Sequence, residues 1–271
     1  MGIIGWPVEH SLSPAIHNAA FSALGLDWVY VPLPVRPEHL LAALTGLSAL
    51  GFSGANVTMP HKTAVAETVE DLSDDARALR AVNTIAIVEG KLCGHNTDTS
   101  GFERFLREDA GFDPAGRRAL VYGGGGAARA CVLALARGGL TALAVAVRTP
   151  DRAGLLLEVA APFDTEVALV PLGEVAGFDA DLVVNATPIG SDGRAIPPQP
   201  AYRPGMLVVD LLYHPVVTPL QERARFAGAT ALGGFGFLLH QAALSFELWT
   251  GRQAPLDVMS AAALAQLADR G

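Results

Sequence analysis

Lysine is almost missing from this chain: of 19 cationic residues only Lys62 and Lys91 are lysines. A bias toward arginine reflects genome composition most simply. It still matters chemically, because a guanidinium does not release its proton in a protein and an ammonium can. A lysine kept inside a polar motif is therefore a candidate for proton transfer, and Lys91, beside the Glu89-Gly90 turn, is not in such a place. Cysteine is scarce too. Cys93 and Cys131 are far apart with no metal-ligand spacing, and Cys131 falls in an apolar helical pattern that reads as core. His10, His17, His61 and His95 are scattered without converging spacing, so no metal is expected. No apolar run approaches the ~18 residues of a membrane-spanning helix, and the N-terminus lacks a secretory pattern, which predicts a cytoplasmic protein. Basic runs are absent and the net charge is −8, which argues against nucleic acid as a partner. What remains is 271 residues, 51% hydrophobic and 17% charged: a well-cored globular chain long enough for two domains.

The stretch Ala119-Leu-Val-Tyr-Gly-Gly-Gly-Gly-Ala-Ala-Arg129 organises the middle. A short strand runs into four glycines, and an Ala-rich helix pattern follows to Arg137. Strand, Gly-x-Gly-x-x-Ala (Gly123, Gly125, Ala128) and helix form the grammar of a dinucleotide-binding turn. Glycine permits the tight turn and the close approach of a pyrophosphate, and the helix N-terminus supplies partial positive charge. The next strand, Leu143 to Val147, should end in Asp or Glu if the cofactor were NAD. It ends instead in Arg148-Thr149-Pro150-Asp151-Arg152. Two guanidinium groups and a hydroxyl suit a 2′-phosphate, which favours NADP, the competing reading being a solvated helix start. Thr149 is the expected N-cap and Pro150 the first residue of a helix to Ala160.

In the N-terminal part, Gly2 to Gly5 reads as a strand. Ser13 is the expected N-cap of a helix from Pro14 to Leu24, closed by Gly25. Ser11 and Ser13 put two hydroxyls at a helix N-terminus, where a carboxylate can bind; simple capping is the alternative role of Ser13. Trp28 to Val35 reads as a second strand and Pro37 to Leu50 as a helix. Asn56 to Thr58 ends a further strand, Pro60 opens a helix, and Lys62 falls in its first turn. A positive helix end disfavours an ammonium, which is the tuning a general acid or base needs; a surface lysine is the competing reading. Ala81 to Val88 and Lys91 to Asn96 flank Glu89-Gly90, a two-residue hairpin signal. In that register Asn83 faces Asn96, so the hairpin brings Asn83 and Asp98 to one end of the sheet. Asp98 also opens a helix pattern, so capping is its alternative role.

Downstream, strand and helix patterns alternate, with strands at 166–170, 181–187, 206–212 and 229–232 and a helix from Thr218-Pro219 to Ala227. This predicts parallel strands with right-handed crossovers. Asn185 and Asp210 lie at strand ends, where ligands sit in such sheets. The last helices, 237–249 and 257–269, are expected to cross back onto the N-terminal part, carrying Gln241. The expected domains are 1–99 plus 237–271, an α/β substrate-binding and catalytic domain, and 100–236, a Rossmann-type doubly wound domain. Glycines at 101, 233 and 234 suggest a hinge.

Together these segments resemble the shikimate dehydrogenase family over the full length. The matching motifs are His10-Ser-Leu-Ser-Pro14 with His17-Asn18, Asn56-Val-Thr-Met-Pro-His-Lys62, Ala81-Val-Asn-Thr84 and Asn96-Thr-Asp-Thr-Ser-Gly101. Later come Gly123 to Ala127, Arg148-Thr149, Asn185-Ala-Thr-Pro188, Asp210 with Tyr213 and Pro215, and Gln241 with Trp249-Thr-Gly251. The resemblance implies reversible NADP-dependent reduction of 3-dehydroshikimate to shikimate in aromatic amino-acid biosynthesis. It implies that Ser11 and Ser13 hold the substrate carboxylate. Thr58, Lys62, Asn83, Asp98, Tyr213 and Gln241 would contact the ring, with Lys62 and Asp98 as the catalytic pair. It implies cofactor contacts from Gly123, Gly124, Gly125, Gly126, Ala127, Val147, Arg148, Thr149 and Arg152, and weaker ones from Asp74, Leu211 and Gly234. Val147 stands where the family usually has Asn, Phe237 where Met is frequent, and His214 where Asn is common. The alternatives are a quinate/shikimate dehydrogenase of broader range and a catalytically silent NADP-binding sensor. The oligomeric state is left open, a homodimer among the options.

Overall fold

The computed structural model describes residues 1–192 and 199–269; the last two positions of the expected C-terminal segment lie outside them. The chain divides into two compact units, Met1–Thr97 with Leu239–Gly271, and Asp98–Leu238.

The first unit is built on a six-stranded mixed sheet in the order β2-β1-β3-β5-β6-β4. β1 (Gly2–Gly5) pairs parallel with both β2 (Val31–Pro34) and β3 (Gly54–Val57). β5 (Thr84–Val88) and β6 (Lys91–His95) form an antiparallel hairpin in the expected register, Thr84 opposite His95 and Val88 opposite Lys91. Glu89 and Gly90 both take positive φ, 50° and 78°, as a two-residue primed turn requires. A short β4 (Asp71–Leu72) closes that edge. Ile4, Val57, Val65, Val82 and Ile85, all at most 2% exposed, form the core beneath α2 (Leu40–Ala49) and α3 (Lys62–Thr68). Burial of such side chains contributes roughly 1.5–3 kcal/mol each.

Four local expectations fail here, each for a visible reason. Helix α1 (Ser13–Ala23) is preceded by Leu12, not capped by Ser13; Ser11 Oγ accepts from the Ser13 N–H at 3.2 Å and does the work assigned to Ser13. The second strand begins only at Val31, because Asn18 captures Tyr30: Asn18 Oδ1 accepts from the Tyr30 N–H (2.7 Å) and its Nδ2 donates to the Tyr30 carbonyl (2.9 Å). That side chain replaces a ladder rung. Pro60 lies in a turn closed by the His61 N–H donating to the Thr58 carbonyl (2.9 Å), and the helix starts at Lys62. The hairpin strand starts at Thr84 rather than Ala81, since Val82 donates to the Lys62 carbonyl (2.9 Å) instead of to a strand.

The second unit carries six parallel strands in the order β12-β11-β10-β7-β8-β9: β7 (Arg118–Tyr122), β8 (Ala142–Val147), β9 (Glu166–Pro171), β10 (Leu182–Asn185), β11 (Leu207–Asp210) and β12 (Thr230–Gly233). From the other edge the order is 3-2-1-4-5-6, the doubly wound dinucleotide arrangement, whose strand order reverses beside β7. Strands β7, β10 and β11 are buried and apolar over 119–122, 182–184 and 207–209, as in a parallel sheet with helices on both faces. Helix α6 (Gly126–Arg137) buries every residue from Ala128 to Ala136, Cys131 included. It runs against α5 (Asp98–Glu108).

The expected 150–160 helix is two pieces: a 3₁₀ turn at Pro150–Arg152, with no side-chain cap from Thr149, then α7 (Gly154–Ala160). Thr149 has φ −140° and ψ 88°. Strands β10 and β11 stop earlier than the apolar pattern suggests. At each end an Asn or Asp turns the chain: Thr187 N–H donates to Asn185 Oδ1 (3.1 Å) and Leu212 N–H to Asp210 Oδ1 (3.2 Å). Helix α8 (Pro219–Phe226) opens with a full capping box between Thr218 and Gln221. The last two helices are α9 (Phe235–Thr250) and α10 (Leu256–Ala268), and α10 packs on α1 in the first unit, as expected.

Candidate active site

In the first unit the residues expected around a substrate ring cluster at the C-terminal ends of β1 and β3. Thr58 follows β3 directly and donates its N–H to the Ile4 carbonyl (2.8 Å). Gly5 makes room for it: a Cβ on Gly5 would stand 2.4 Å from Thr58 Cγ2. Asn83 is tied in from the hairpin, its carbonyl accepting from the Val57 N–H at 2.7 Å. Lys62 is the first residue of α3, and its carbonyl takes the Val82 N–H. Thr58, Lys62 and Asn83 are thus held as one group by backbone bonds, although they come from separate stretches of the sequence. Ser11 and Ser13 stand at the start of α1, Ser11 half-buried and Ser13 buried. Gln241 is on α9, and its carbonyl accepts from Thr97 Oγ1 at 3.1 Å.

Beneath these residues lies a buried polar network. Tyr30 donates to Asn56 Oδ1 (2.6 Å), and Asn56 Nδ2 points at Thr84 Oγ1 and Ser245 Oγ, both at 3.0 Å. Asn83 Oδ1 accepts from the Thr97 N–H (2.8 Å) and from Thr84 Oγ1 (2.9 Å), and its Nδ2 donates to Thr97 Oγ1 (3.0 Å). The Asn83 amide therefore has its two ends assigned by the fold. Tyr30 and Ser245 are the members that the sequence reading missed. Ser245 leaves a trace, since Gln241, Ser245 and Trp249 recur every fourth residue and share a helix face. Next to Tyr30, His17 is completely buried, its ring stacked on the Tyr30 ring at 4.5 Å and 5.3 Å from that of Trp249. Neither ring nitrogen has a hydrogen-bond partner among the described residues. Burial, helped by the N-terminal charge, pushes the imidazole down to about 3, so it is neutral.

In the second unit the glycine turn follows β7. Gly123 has φ +116°, and a Cβ there would meet the Ala186 carbonyl oxygen at 3.0 Å; only glycine suits that backbone. A Cβ on Gly124 would touch Val147 at 3.4 Å, while Gly125 has nothing within 4 Å. Gly124 and Gly125 are exposed, and no side chain caps the N-terminus of α6 at Gly125. The first N–H groups of a 12-residue helix behind an open glycine surface fit a pyrophosphate. Val147, buried, packs toward that turn, and Arg148 and Thr149 are exposed directly after it.

At the ends of β10 and β11 the motif residues Asn185 and Asp210 form a second buried network. Asn185 Nδ2 donates to Asp210 Oδ1 (3.0 Å) and Thr218 Oγ1 to Asp210 Oδ2 (2.6 Å). Burial raises the Asp210 carboxyl, and the donors from Thr218, Leu212 and Asn185 work against that rise. These two residues are taken up in shaping the loops that carry Leu211 and Tyr213. Gly234 lies against Leu211, where a Cβ would stand 2.0 Å from its carbonyl oxygen. Asp98, buried, is the first residue of α5, and Asp74 is the exposed first residue of α4 (Asp74–Leu79) in the other unit. Among the described residues no group of three His, Cys, Asp or Glu side chains could hold a metal, and no helix is long and apolar enough to cross a membrane.

Comparison with known proteins identifies the family. Residues 3–85 match the model of the shikimate dehydrogenase substrate binding domain, and residues 234–264 that of the shikimate 5′-dehydrogenase C-terminal domain. The chain is 45% identical to the shikimate dehydrogenase (NADP(+)) of Citrifermentans bemidjiense, covering 100% of this chain and 96% of that one. Among solved structures, shikimate 5-dehydrogenase from Thermus thermophilus, in complex with NADP(H) and shikimate, is 37% identical with a TM-score of 0.87, covering 98% of each chain. Quinate dehydrogenase from Corynebacterium glutamicum, in complex with NAD, is 32% identical with a TM-score of 0.88 over 97% of this chain and 98% of that one. On identity and coverage together, the chain belongs to the shikimate dehydrogenase family.

Proposed function

We propose that the protein is an NADP-dependent shikimate dehydrogenase, reducing 3-dehydroshikimate reversibly to shikimate. The observation that carries this is the joining of Thr58, Lys62 and Asn83 by the Thr58–Ile4, Val82–Lys62 and Val57–Asn83 backbone bonds. A dehydrogenase acting on a ring ketone needs donors for ring hydroxyls and a proton source at the carbonyl, and this group supplies both. Bound NADPH supplies the hydride.

Residues 1–99 with 237–271 bind the substrate and residues 100–236 the cofactor. Ser11 and Ser13 take the carboxylate at the start of α1. Thr58, Asn83, Tyr213 and Gln241 hold the ring oxygens. As charge grows on the carbonyl oxygen, Lys62 gives it a proton, and in the oxidative direction Lys62 takes that proton back. Asp98, which follows the anchored Thr97 in the chain, is the second member of the catalytic pair. Gly123 to Ala127 cradle the pyrophosphate, and Arg148, Thr149 and Arg152 select the 2′-phosphate, with Val147 packing under the turn. Asp74, Leu211 and Gly234 add outer cofactor contacts. The net charge of −8 speaks against nucleic acid as a partner, the protein works in the cytoplasm, and a homodimer is the assembly to test by sedimentation.

The likeness to quinate dehydrogenase sets the competing substrate. Initial rates with shikimate and quinate, each with NADP+ and NAD+, test the reading. Shikimate with NADP+ should have the largest kcat/KM. Absence of turnover with every pair would make the chain a silent NADP-binding sensor, and a preference for quinate would move it to the broader enzyme.

A further inference from the structure

Ser245 has no expected role, yet four polar groups, three of them from outside its own helix, converge on its hydroxyl. Asn56 Nδ2 of β3 donates to it at 3.0 Å, Thr84 Oγ1 of β5 lies at 2.8 Å, and Thr97 Oγ1, just before α5, at 3.2 Å. The fourth is the Gln241 carbonyl, one turn earlier on α9, at 3.1 Å. Ser245, Thr84 and Asn56 are 0, 0 and 6% exposed. An unsatisfied polar group at this depth costs about 1–3 kcal/mol, so the arrangement is kept only with all its members present. One proton assignment satisfies it: Thr84 donates to Asn83 Oδ1, Ser245 to Thr84, Thr97 to the Gln241 carbonyl, and Asn56 to Ser245.

The groups held this way belong to the substrate set. Thr84 and Thr97 together fix which end of the Asn83 amide is the donor. Thr97 holds the Gln241 carbonyl, and Ser245, one turn further on the same helix, ties α9 to Asn56 and Thr84. Trp249 anchors the same helix face one turn further on, its indole donating to the Ile85 carbonyl at 2.9 Å. We propose that Ser245 is a positioning residue for substrate binding: its single buried hydroxyl locks the Asn83 amide and the Gln241 turn into one rigid donor set. Binding groups pre-set in this way cost the substrate no reorganisation. The proposal rests on the shikimate dehydrogenase reading above.

The test compares Ser245→Ala with Thr84→Val and Thr84→Ser in the full-length enzyme, measuring KM for shikimate, KM for NADP+ and kcat, with thermal unfolding alongside. Loss of one hydroxyl should raise KM for shikimate about tenfold, the equivalent of one hydrogen bond. KM for NADP+ should stay within about twofold and kcat should fall less than KM rises, as for loss of contacts shared by ground and transition states. Thr84→Val should behave like Ser245→Ala, and Thr84→Ser, which keeps the hydroxyl, should return near wild type. Unchanged KM for shikimate in Ser245→Ala, or KM for both substrates rising together, overturns the proposal. If Ser245→Ala does not fold, the Thr84 pair decides by the same criterion. A wild-type enzyme inactive on shikimate would instead sink the functional reading, so the two failures are distinguishable.

Discussion

The two units solve their binding problems in opposite ways. The cofactor turn is local: β7, four glycines and α6 occupy residues 118–137 without a break, and what they offer is backbone N–H and empty space. The substrate set is assembled from afar. Its side-chain bonds join residues 14 positions apart at Thr97–Asn83 and 189 apart at Asn56–Ser245. A pyrophosphate is met by repeated, identical donors, which one helix end supplies. A hydroxylated ring needs unlike donors in fixed directions, and no single segment can present them.

If the division of labour is right, the largest effect should fall on one half alone. Lys62→Ala should lower kcat by about 10² to 10⁴, the range of general acid–base catalysis, while NADPH affinity measured by fluorescence titration stays unchanged. Equal turnover in the mutant would remove Lys62 from the mechanism, and a parallel loss of NADPH binding would erase the separation between the halves. The converse variant is smaller. Replacing Arg148 and Arg152 together by Ala should weaken NADPH by about 10², the worth of two charge-assisted contacts, with little change for NADH and for shikimate. The same loss for both dinucleotides would refute selection of a 2′-phosphate.

This contrast also explains what the sequence discloses. The glycine turn, the alternating strands and the 89–90 hairpin register are set by neighbours in the chain, and all are readable there. Strand ends are not: β10 and β11 stop where Asn185 and Asp210 fold back on their own backbone, against an apolar pattern that runs on. Ser13 and Thr149 look like helix caps because residue type suits the position, but Ser11 reaches one N–H first and a 3₁₀ turn displaces the other helix. Tyr30 leaves no sign of a supporting role and Ser245 only its four-residue spacing from Gln241 and Trp249, since a buried hydroxyl reads as ordinary core until its partner from another element is known.

The buried aromatic layer under the substrate set allows the finest test. His17 is fully enclosed, stacked on Tyr30, and held neutral by burial, its value about 3 in the folded chain against 6.5 when exposed. Between those values the unfolded chain binds a proton that the folded chain refuses, so stability rises with pH across the window and is lost as pH falls from 6.5 toward 3. From about pH 7 to about pH 5 the loss should be about 2 kcal/mol from this residue. Other groups titrate over the same range, so the measurement is a difference: urea unfolding of wild type and of His17→Phe at both pH values. Phenylalanine keeps the stacked ring on Tyr30 and has nothing to protonate, and its curve should be flatter by that amount. Parallel pH dependence in the two proteins would mean that the imidazole is hydrated or paired in solution, and that the layer beneath Asn56 is not the dry floor its geometry describes.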